Sequence, residues 1–154
     1  RAASDEMALL TETFLLLGRK EAVERPPQWV APLIERELTR LAPLLQRENL
    51  DIRLNLDEQS EVQAPLSLLA IALGNLLKNA LSYAEGHIEI ALQGQVLTIS
   101  NPTAAAPDQI LGYGCGLTII QRICEKLGWQ IETRLEDGVF SARLAMNAPD
   151  LTQA

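Results

Sequence analysis

The spacing of hydrophobic residues divides the chain into a helical N-terminal segment and a longer region in which helices alternate with pairs of strands. In residues 1–20, four apolar side chains recur at helical spacing: Met7, Leu10, Phe14 and Leu17. Residues 21–28 are charged and contain Pro26 and Pro27, which predicts the end of the helix and a linker. We therefore expect the globular domain to begin at residue 29.

The remainder of the chain predicts a fold in which helices cover one side of a sheet. Helical periodicity covers residues 30–48, 65–83 and 117–127. Alternating apolar and polar residues predict strands at 51–56, 61–64, 87–92, 96–100, 129–135 and 139–144. Residues 101–113 are predicted to form a loop, and the last residues, 147–154, a frayed tail. Because short turns join neighbouring strands and no βαβ series repeats, we predict an α+β fold with a mixed, mostly antiparallel sheet.

The composition is that of a folded domain with an acidic surface. Of the 154 residues, 47% are hydrophobic and 21% are charged, and the formal net charge is −7. A general nucleic-acid-binding protein carries the opposite charge balance, so we expect no nucleic-acid partner. The most apolar stretch, residues 66–77, is too short to span a bilayer, so we expect no membrane contact by this part of the protein. The chain begins at Arg1 rather than at a signal peptide, and we expect it to be a piece of a longer protein.

The predicted helix over residues 65–83 carries a polar stripe on an otherwise apolar surface. Lys78, Asn79 and Ser82 lie three, four and seven residues after Asn75, so the four side chains share one face of the helix. Asparagine favours caps and turns over helix interiors, which makes two of them one turn apart a costly choice. A solvent-exposed face is the simpler interpretation, although such faces usually carry Glu, Lys, Arg or Gln. The alternative is a site whose amide oxygens serve Mg²⁺ beside phosphates.

A second candidate feature is the alternation of three glycines immediately before the last predicted helix. They are Gly112, Gly114 and Gly116. Glycines in this position let backbone N–H groups approach an anion, whose charge the helix dipole favours. A flexible turn explains the pattern equally well. A dinucleotide-binding fingerprint would require a strand directly before the glycines, and the predicted loop excludes that interpretation.

Four segments, in order, resemble the catalytic ATP-binding domain of bacterial sensor histidine kinases. They are NLLKNALSYA, LTISNP, GYGCGLTIIQRICEKLGWQIE and GVFSARL, and the resemblance covers about residues 29–146. It implies the Bergerat-type fold shared with gyrase and MutL, a two-layer α/β sandwich whose sheet is covered on one face by about three helices. Residues 1–20 are similar to the end of a dimerisation and phosphoacceptor helix, and residues 21–28 to the linker that follows it.

The resemblance implies ATP and Mg²⁺ as cofactors and assigns a set of nucleotide-binding residues. They are Asn75, Asn79, Tyr83, Asn101, Gly112, Gly114 and Gly116. Asn79 matches the family's Mg²⁺ ligand, and Asn101 matches the residue that accepts a hydrogen bond from the adenine amino group. Turn formation with Pro102 is the alternative for Asn101, and helix-end packing is the alternative for Tyr83. ATP-hydrolysing relatives have a glutamate base where Asn75 stands, so we assign no catalytic side chain and favour the kinase branch.

Two departures from the family concern the phosphates. Only residues 102–111 separate Asn101 from Gly112, where the family has a longer lid, and no Lys or Arg occurs between Asn79 and Gln121. Two functions therefore stay open. One is a kinase domain that transfers the γ-phosphoryl group to a histidine on a separate dimerisation domain. The other is a degenerate docking module with little or no nucleotide turnover.

The resemblance also implies partners and a location. The partners are the dimerisation and phosphoacceptor domain of the same full-length kinase, expected to be a homodimer, and the receiver domain of a response regulator. The location is the cytoplasmic part of a membrane-anchored sensor. The only histidine, His87, opens a predicted strand and does not match the phosphoacceptor, so we expect no autophosphorylation of this chain alone.

Overall fold

Four helices and seven strands make up the part of the chain that the structure describes. The computed structural model describes residues 2–105 and 115–147. The helices are α1 (Ala2–Gly18), α2 (Val30–Arg47), α3 (Leu66–Tyr83) and α4 (Cys115–Leu127). The strands are β1 (Pro27–Trp29), β2 (Asp51–Leu56), β3 (Glu61–Gln63), β4 (His87–Gln93), β5 (Val96–Pro102), β6 (Gln130–Glu136) and β7 (Val139–Ala145).

Five of the strands form the main sheet, in the order β2-β4-β5-β7-β6. The β2–β4 pair is parallel and the other three pairs are antiparallel, which confirms the predicted mixed, mostly antiparallel sheet. A parallel pair requires a crossover connection, which β3 and α3 provide. The β6–β7 turn has positive φ at both Asp137 (52°) and Gly138 (74°), as a two-residue hairpin turn with Asp-Gly requires.

A second, two-stranded sheet was not predicted. Strand β1 covers the last two residues of the predicted linker and the first residue of the predicted domain, and it pairs antiparallel with β3. Backbone hydrogen bonds flank the pairing: Val30 N donates to Ser60 O at 3.2 Å, and Ala64 N donates to Pro26 O at 3.1 Å. The two segments are more than thirty residues apart in the chain, so local periodicity cannot indicate that they pair.

The core lies between one face of the main sheet and the helices. Alternate residues of β4, β5 and β7 are buried, as in Ile90, Ile99 and Phe140. Helix α3 packs against α1, α2, α4 and β5. Among the described residues it is the one helix long and apolar enough to cross a membrane by length and composition. Because it is packed on several sides inside the domain, we interpret it as a core helix.

Helix α1 confirms the predicted helix but divides its apolar residues between two faces. Thr13 is fully buried, and Leu17 packs against the core. Met7 and Phe14 are 66% and 54% exposed, so the four-residue stripe does not form a single buried face. The packed face instead lies against α3 and α4, a contact between segments far apart in the sequence.

Cys124 is a buried free thiol on α4. Burial, with the charge of Glu125, raises its pKa from 9.0 to about 11. This lowers the reactive thiolate fraction about a hundredfold. In a Cys115→Ser variant, we expect Cys124 to react with a chromogenic disulfide about a hundred times more slowly in the folded protein than in urea. Equal rates in the two states would show that the thiol is not enclosed.

Candidate functional site

Asn101 is a buried polar residue near the end of the central strand β5. Its side chain is 1% exposed, and its backbone pairs across the sheet with Phe140. The amide Nδ2 donates to the carbonyl oxygen of Pro102 at 3.1 Å. Within the described residues, Oδ1 is buried and accepts no hydrogen bond. Because most buried polar atoms are satisfied, an unpaired buried acceptor is a candidate ligand-binding atom.

The strand position of Asn101 corrects two expectations. Residues 101 and 102 were predicted to start a loop, and turn formation with Pro102 was the alternative to adenine binding for Asn101, but both residues lie in β5 and pair with β7. Proline has no N–H and is therefore tolerated where the strand ends. Its carbonyl remains available and accepts from both Asn101 Nδ2 and the backbone N–H of Glu85, the latter at 2.8 Å.

The contacts of Pro102 and Thr103 hold the end of β5 against two other elements. The Glu85 bond ties β5 to the chain that leaves α3, and Thr103 N donates to the carbonyl of Gly138 in the β6–β7 turn at 2.8 Å. Thr103 Oγ1 in turn accepts from Ala105 N at 3.0 Å. The sequence does not predict these hydrogen bonds. Every residue has a backbone carbonyl, so the residue type does not indicate which carbonyl will accept. Together these bonds fix the backbone on which Asn101 stands.

The polar stripe of α3 contains residues with different hydrogen-bonding states. Asn75 Nδ2 donates to the carbonyl of Ile71 at 2.9 Å, and Ser82 Oγ donates to the carbonyl of Lys78 at 3.0 Å. Both bonds return to the helix itself, four residues back. Asn79 is half-buried, and its side chain makes no hydrogen bond to the residues that the structure describes. The amide oxygen of Asn79 is therefore not bonded to any described residue.

The other predicted site residues are described to different extents. Tyr83 is half-buried at the last position of α3 and packs against the core, which is compatible with both of its predicted roles. Gly116 lies in the first turn of α4, because that helix begins at Cys115, two residues earlier than predicted. Gly112 and Gly114 lie outside the described residues, as does most of the predicted lid.

The described residues include two groups whose chemistry suits an adenine nucleotide with Mg²⁺. Asn101 Oδ1 offers a buried acceptor that suits the amino group of adenine. Asn79 offers an amide oxygen, a hard ligand of the kind that Mg²⁺ accepts. Among residues 2–105 and 115–147, no group of three His, Cys, Asp or Glu side chains could hold a metal ion alone. A Mg²⁺ ion here would therefore take its remaining ligands from phosphates and water.

Comparison with solved structures identifies the fold as that of histidine kinase catalytic domains. The cytoplasmic segment of histidine kinase QseC superposes with a TM-score of 0.73 at 21% identity, covering 94% of this chain and 95% of that one. Acinetobacter baumannii histidine kinase AdeS gives 0.71 at 19% identity, covering 94% and 78%. The nucleotide-free catalytic domain of histidine kinase ThkA gives 0.67 at 19% identity, covering 80% and 97%. No protein-family model matches the sequence, and no curated protein matches it significantly.

Proposed function

We propose that this chain contains the ATP-binding catalytic domain of a sensor histidine kinase. The domain binds Mg·ATP and transfers the γ-phosphoryl group to a histidine on a helical dimerisation domain, and a response regulator receives the group afterwards. We place the catalytic domain at residues 29–146, with residues 1–20 as the end of the dimerisation helix and 21–28 as the linker. The full-length protein is then a homodimer, and this chain is part of its cytoplasmic portion.

One observation carries the proposal: the buried, unpaired Oδ1 of Asn101. Its position at the end of a central strand, in a fold shared with histidine kinase catalytic domains, is where the sequence resemblance puts the adenine-binding residue. The orientation of the amide follows from its surroundings. The Pro102 carbonyl can only accept, so Nδ2 must face it and Oδ1 is left as the atom without a partner. The side chain thus presents an acceptor to a base that donates.

The residues of this chain position the nucleotide. In phosphoryl transfer the protein contributes orientation and charge stabilisation, and Mg²⁺ bound to the phosphates supplies neutralising charge. Asn101 orients the base, Asn79 holds the metal, and the glycines before α4 offer backbone N–H groups to the phosphates. Asn75 adds a second amide oxygen on the same face of α3, while its Nδ2 stays bound to Ile71.

A docking module with little turnover is the second candidate, and one observation favours it. Residues 80–120 contain no Lys or Arg, so few cations are available near the site to meet triphosphate charge. A helix dipole contributes only about 0.3–1 kcal/mol to an anion at its N-terminus. Lys78 is the one basic residue on the α3 stripe. The two candidates differ in whether the phosphates add to binding.

Calorimetric titration with ATP and with ADP, each in the presence and absence of Mg²⁺, tests the proposal. We expect both nucleotides to bind with similar dissociation constants, about 10 µM to 1 mM, because adenine contacts carry most of the energy. No binding of either nucleotide at millimolar concentration would favour the docking module. ATP binding more than about tenfold tighter than ADP would contradict the inference that the phosphates are weakly held.

A second measurement addresses phosphotransfer. Incubation of the chain with γ-labelled ATP should leave it unlabelled, because its only histidine, His87, lies in strand β4 and not on a dimerisation helix. The Nε2 atom of His87 is 3.8 Å from Oε1 of Glu89. Stoichiometric label on His87 would contradict the proposal that the acceptor lies on another domain.

A further inference from the structure

Helix α2 presents an exposed row of arginines on a chain whose formal net charge is −7. Arg40, Leu44 and Arg47 follow Arg36 by four, eight and eleven residues, so the four side chains share one face of the helix. All four residues are exposed, and the residues that α2 buries lie on a different side. The row is about 16 Å long, from the rise of a helix per residue. We call these four residues the arginine face.

Two of the arginines are unpaired within the part of the chain that the structure describes. Arg36 and Arg47 make no ion pair with any residue there. Glu35 directly precedes Arg36 and therefore points about 100° away around the helix. Both guanidinium groups thus keep their capacity for a bidentate hydrogen bond to a carboxylate of a partner.

The third arginine, Arg40, is held in position by a contact between α2 and α3. Its Nη2 donates to Oε2 of Glu37 at 2.6 Å, and the Glu37 side chain is only 14% exposed. A Cβ at residue 74 would lie 3.3 Å from that Oε2, so Gly74 provides the space for the pair. Glycine is unfavourable inside a helix, which makes this accommodation a specific feature of α3. An arginine that is already fixed loses less conformational entropy when a partner binds.

Exposed apolar side chains accompany the arginines. Trp29 directly precedes α2 and is 53% exposed, and Leu44 lies within the arginine face. Tryptophan and arginine are the residue types that most often dominate the binding energy of protein–protein interfaces. This combination fits a protein partner better than a simple anion.

We propose that the arginine face is a docking surface for a carboxylate-rich segment of a partner protein. The arginines bind its carboxylates, and Leu44 with Trp29 contacts an apolar side chain of the same segment. Charge complementarity selects this occupant. A short acidic segment meets only the arginine face, whereas a bilayer or a nucleic acid would extend over the acidic surface around it, beyond a Debye length of about 8 Å.

Titration with an acidic probe peptide tests the proposal. The probe is a synthetic helical peptide of about 15 residues in which glutamates and leucines repeat at helical spacing. The same peptide with glutamine in place of glutamate is its control. Trp29 reports binding through its fluorescence, because the other tryptophan, Trp129, is buried. We expect the acidic peptide to shift the emission with a dissociation constant of about 100 µM, and the glutamine peptide to bind at least about tenfold more weakly.

Paired arginine variants locate the binding on α2. In the double variant Arg36→Gln with Arg47→Gln, we expect the acidic peptide to bind at least about tenfold more weakly, because two carboxylate contacts are lost. The matched control is Arg134→Gln with Arg143→Gln. It removes the same charge from exposed residues of β6 and β7 and should keep the dissociation constant within about twofold.

Four results would overturn the proposal. They are no binding of the acidic peptide at millimolar concentration, equal binding of the two peptides, equal loss of binding in the two double variants, and preferred binding to a membrane. The last would appear as binding to vesicles with about 30% phosphatidylglycerol that is tighter than peptide binding and is lost in Arg36→Gln with Arg47→Gln. That variant should bind ATP as the parent does, so failure of the nucleotide proposal and failure of this one are distinguishable.

Discussion

Replacing Asn101 with alanine is expected to weaken the binding of ATP and ADP by the same factor. The change leaves the adenine amino group without the acceptor that Oδ1 provides in a buried position. The loss of one partner from a buried hydrogen bond costs about 1–3 kcal/mol, which is about 5- to 150-fold in the dissociation constant. Because the bond is to the base, the phosphate count should not change the factor. Calorimetry with both nucleotides measures it.

The matched control is Ser100→Ala, one residue earlier on the same strand. Successive side chains of a strand point to opposite faces, so Ser100 lies on the face away from the core. We expect this variant to bind nucleotides as the parent does. A loss of affinity in Ser100→Ala equal to that in Asn101→Ala would show that the strand, and not the amide, is responsible.

The orientation of the amide adds a sharper readout. Inosine triphosphate carries a carbonyl where ATP carries the amino group, so it would place one acceptor against another. We expect the parent to bind it about tenfold or more weakly than ATP, and we expect Asn101→Ala to bind the two alike. Equal binding in the parent would contradict an amide held in one orientation by the Pro102 carbonyl.

Replacing Asn79 with alanine is expected to remove the dependence of nucleotide binding on Mg²⁺. The side chain makes no hydrogen bond to the described residues and is half-buried, so its loss should change the melting temperature by no more than about 2 °C. Loss of a metal ligand should weaken ATP binding at least about tenfold with Mg²⁺ present. With the metal chelated, parent and variant should bind alike. Titrations under the two conditions separate these effects.

Ser82→Ala provides the control on the same stripe. Ser82 is exposed, and its hydroxyl already donates to the carbonyl of Lys78 within α3. Its removal should leave Mg²⁺-dependent binding unchanged. If Asn79→Ala bound Mg·ATP as the parent does, the stripe would be only a solvent-exposed face. If Asn79→Ala unfolded, the residue would be structural.

The two variants separate the parts of the proposed site. Asn101→Ala should affect ATP and ADP with or without the metal, whereas Asn79→Ala should have an effect only when Mg²⁺ is present. If neither substitution altered nucleotide binding, the nucleotide contacts would lie elsewhere in the protein. If the parent bound no nucleotide, the unpaired, buried Oδ1 of Asn101 would have no explanation.

Local sequence patterns were sufficient to predict the helices, the strands of the main sheet and the class of fold. The period of the apolar residues predicted α2, α3 and α4 to within about two residues, and alternation predicted the strands of the main sheet. The Asp-Gly pair at residues 137 and 138 is typical of a two-residue hairpin turn, because both positions of such a turn require positive φ. These features depend on neighbouring residues, so the sequence alone contains the information. The spacing of Asn75 and Asn79 on one helical face belongs to the same category.

Tertiary structure decided what depends on contacts between distant segments. The pairing of β1 with β3, the strand position of Asn101 and the docking of α1 on α3 and α4 all join parts of the chain far apart in sequence. The hydrogen-bonding state of each polar side chain also depends on such neighbours. Sequence placed Asn79 and Ser82 on one stripe, but only the structure shows that Ser82 bonds to its own helix. Residue types and spacings determined which groups this protein carries, and packing determined which of them remain unpaired, because hydrogen bonding and burial are properties of the folded surroundings.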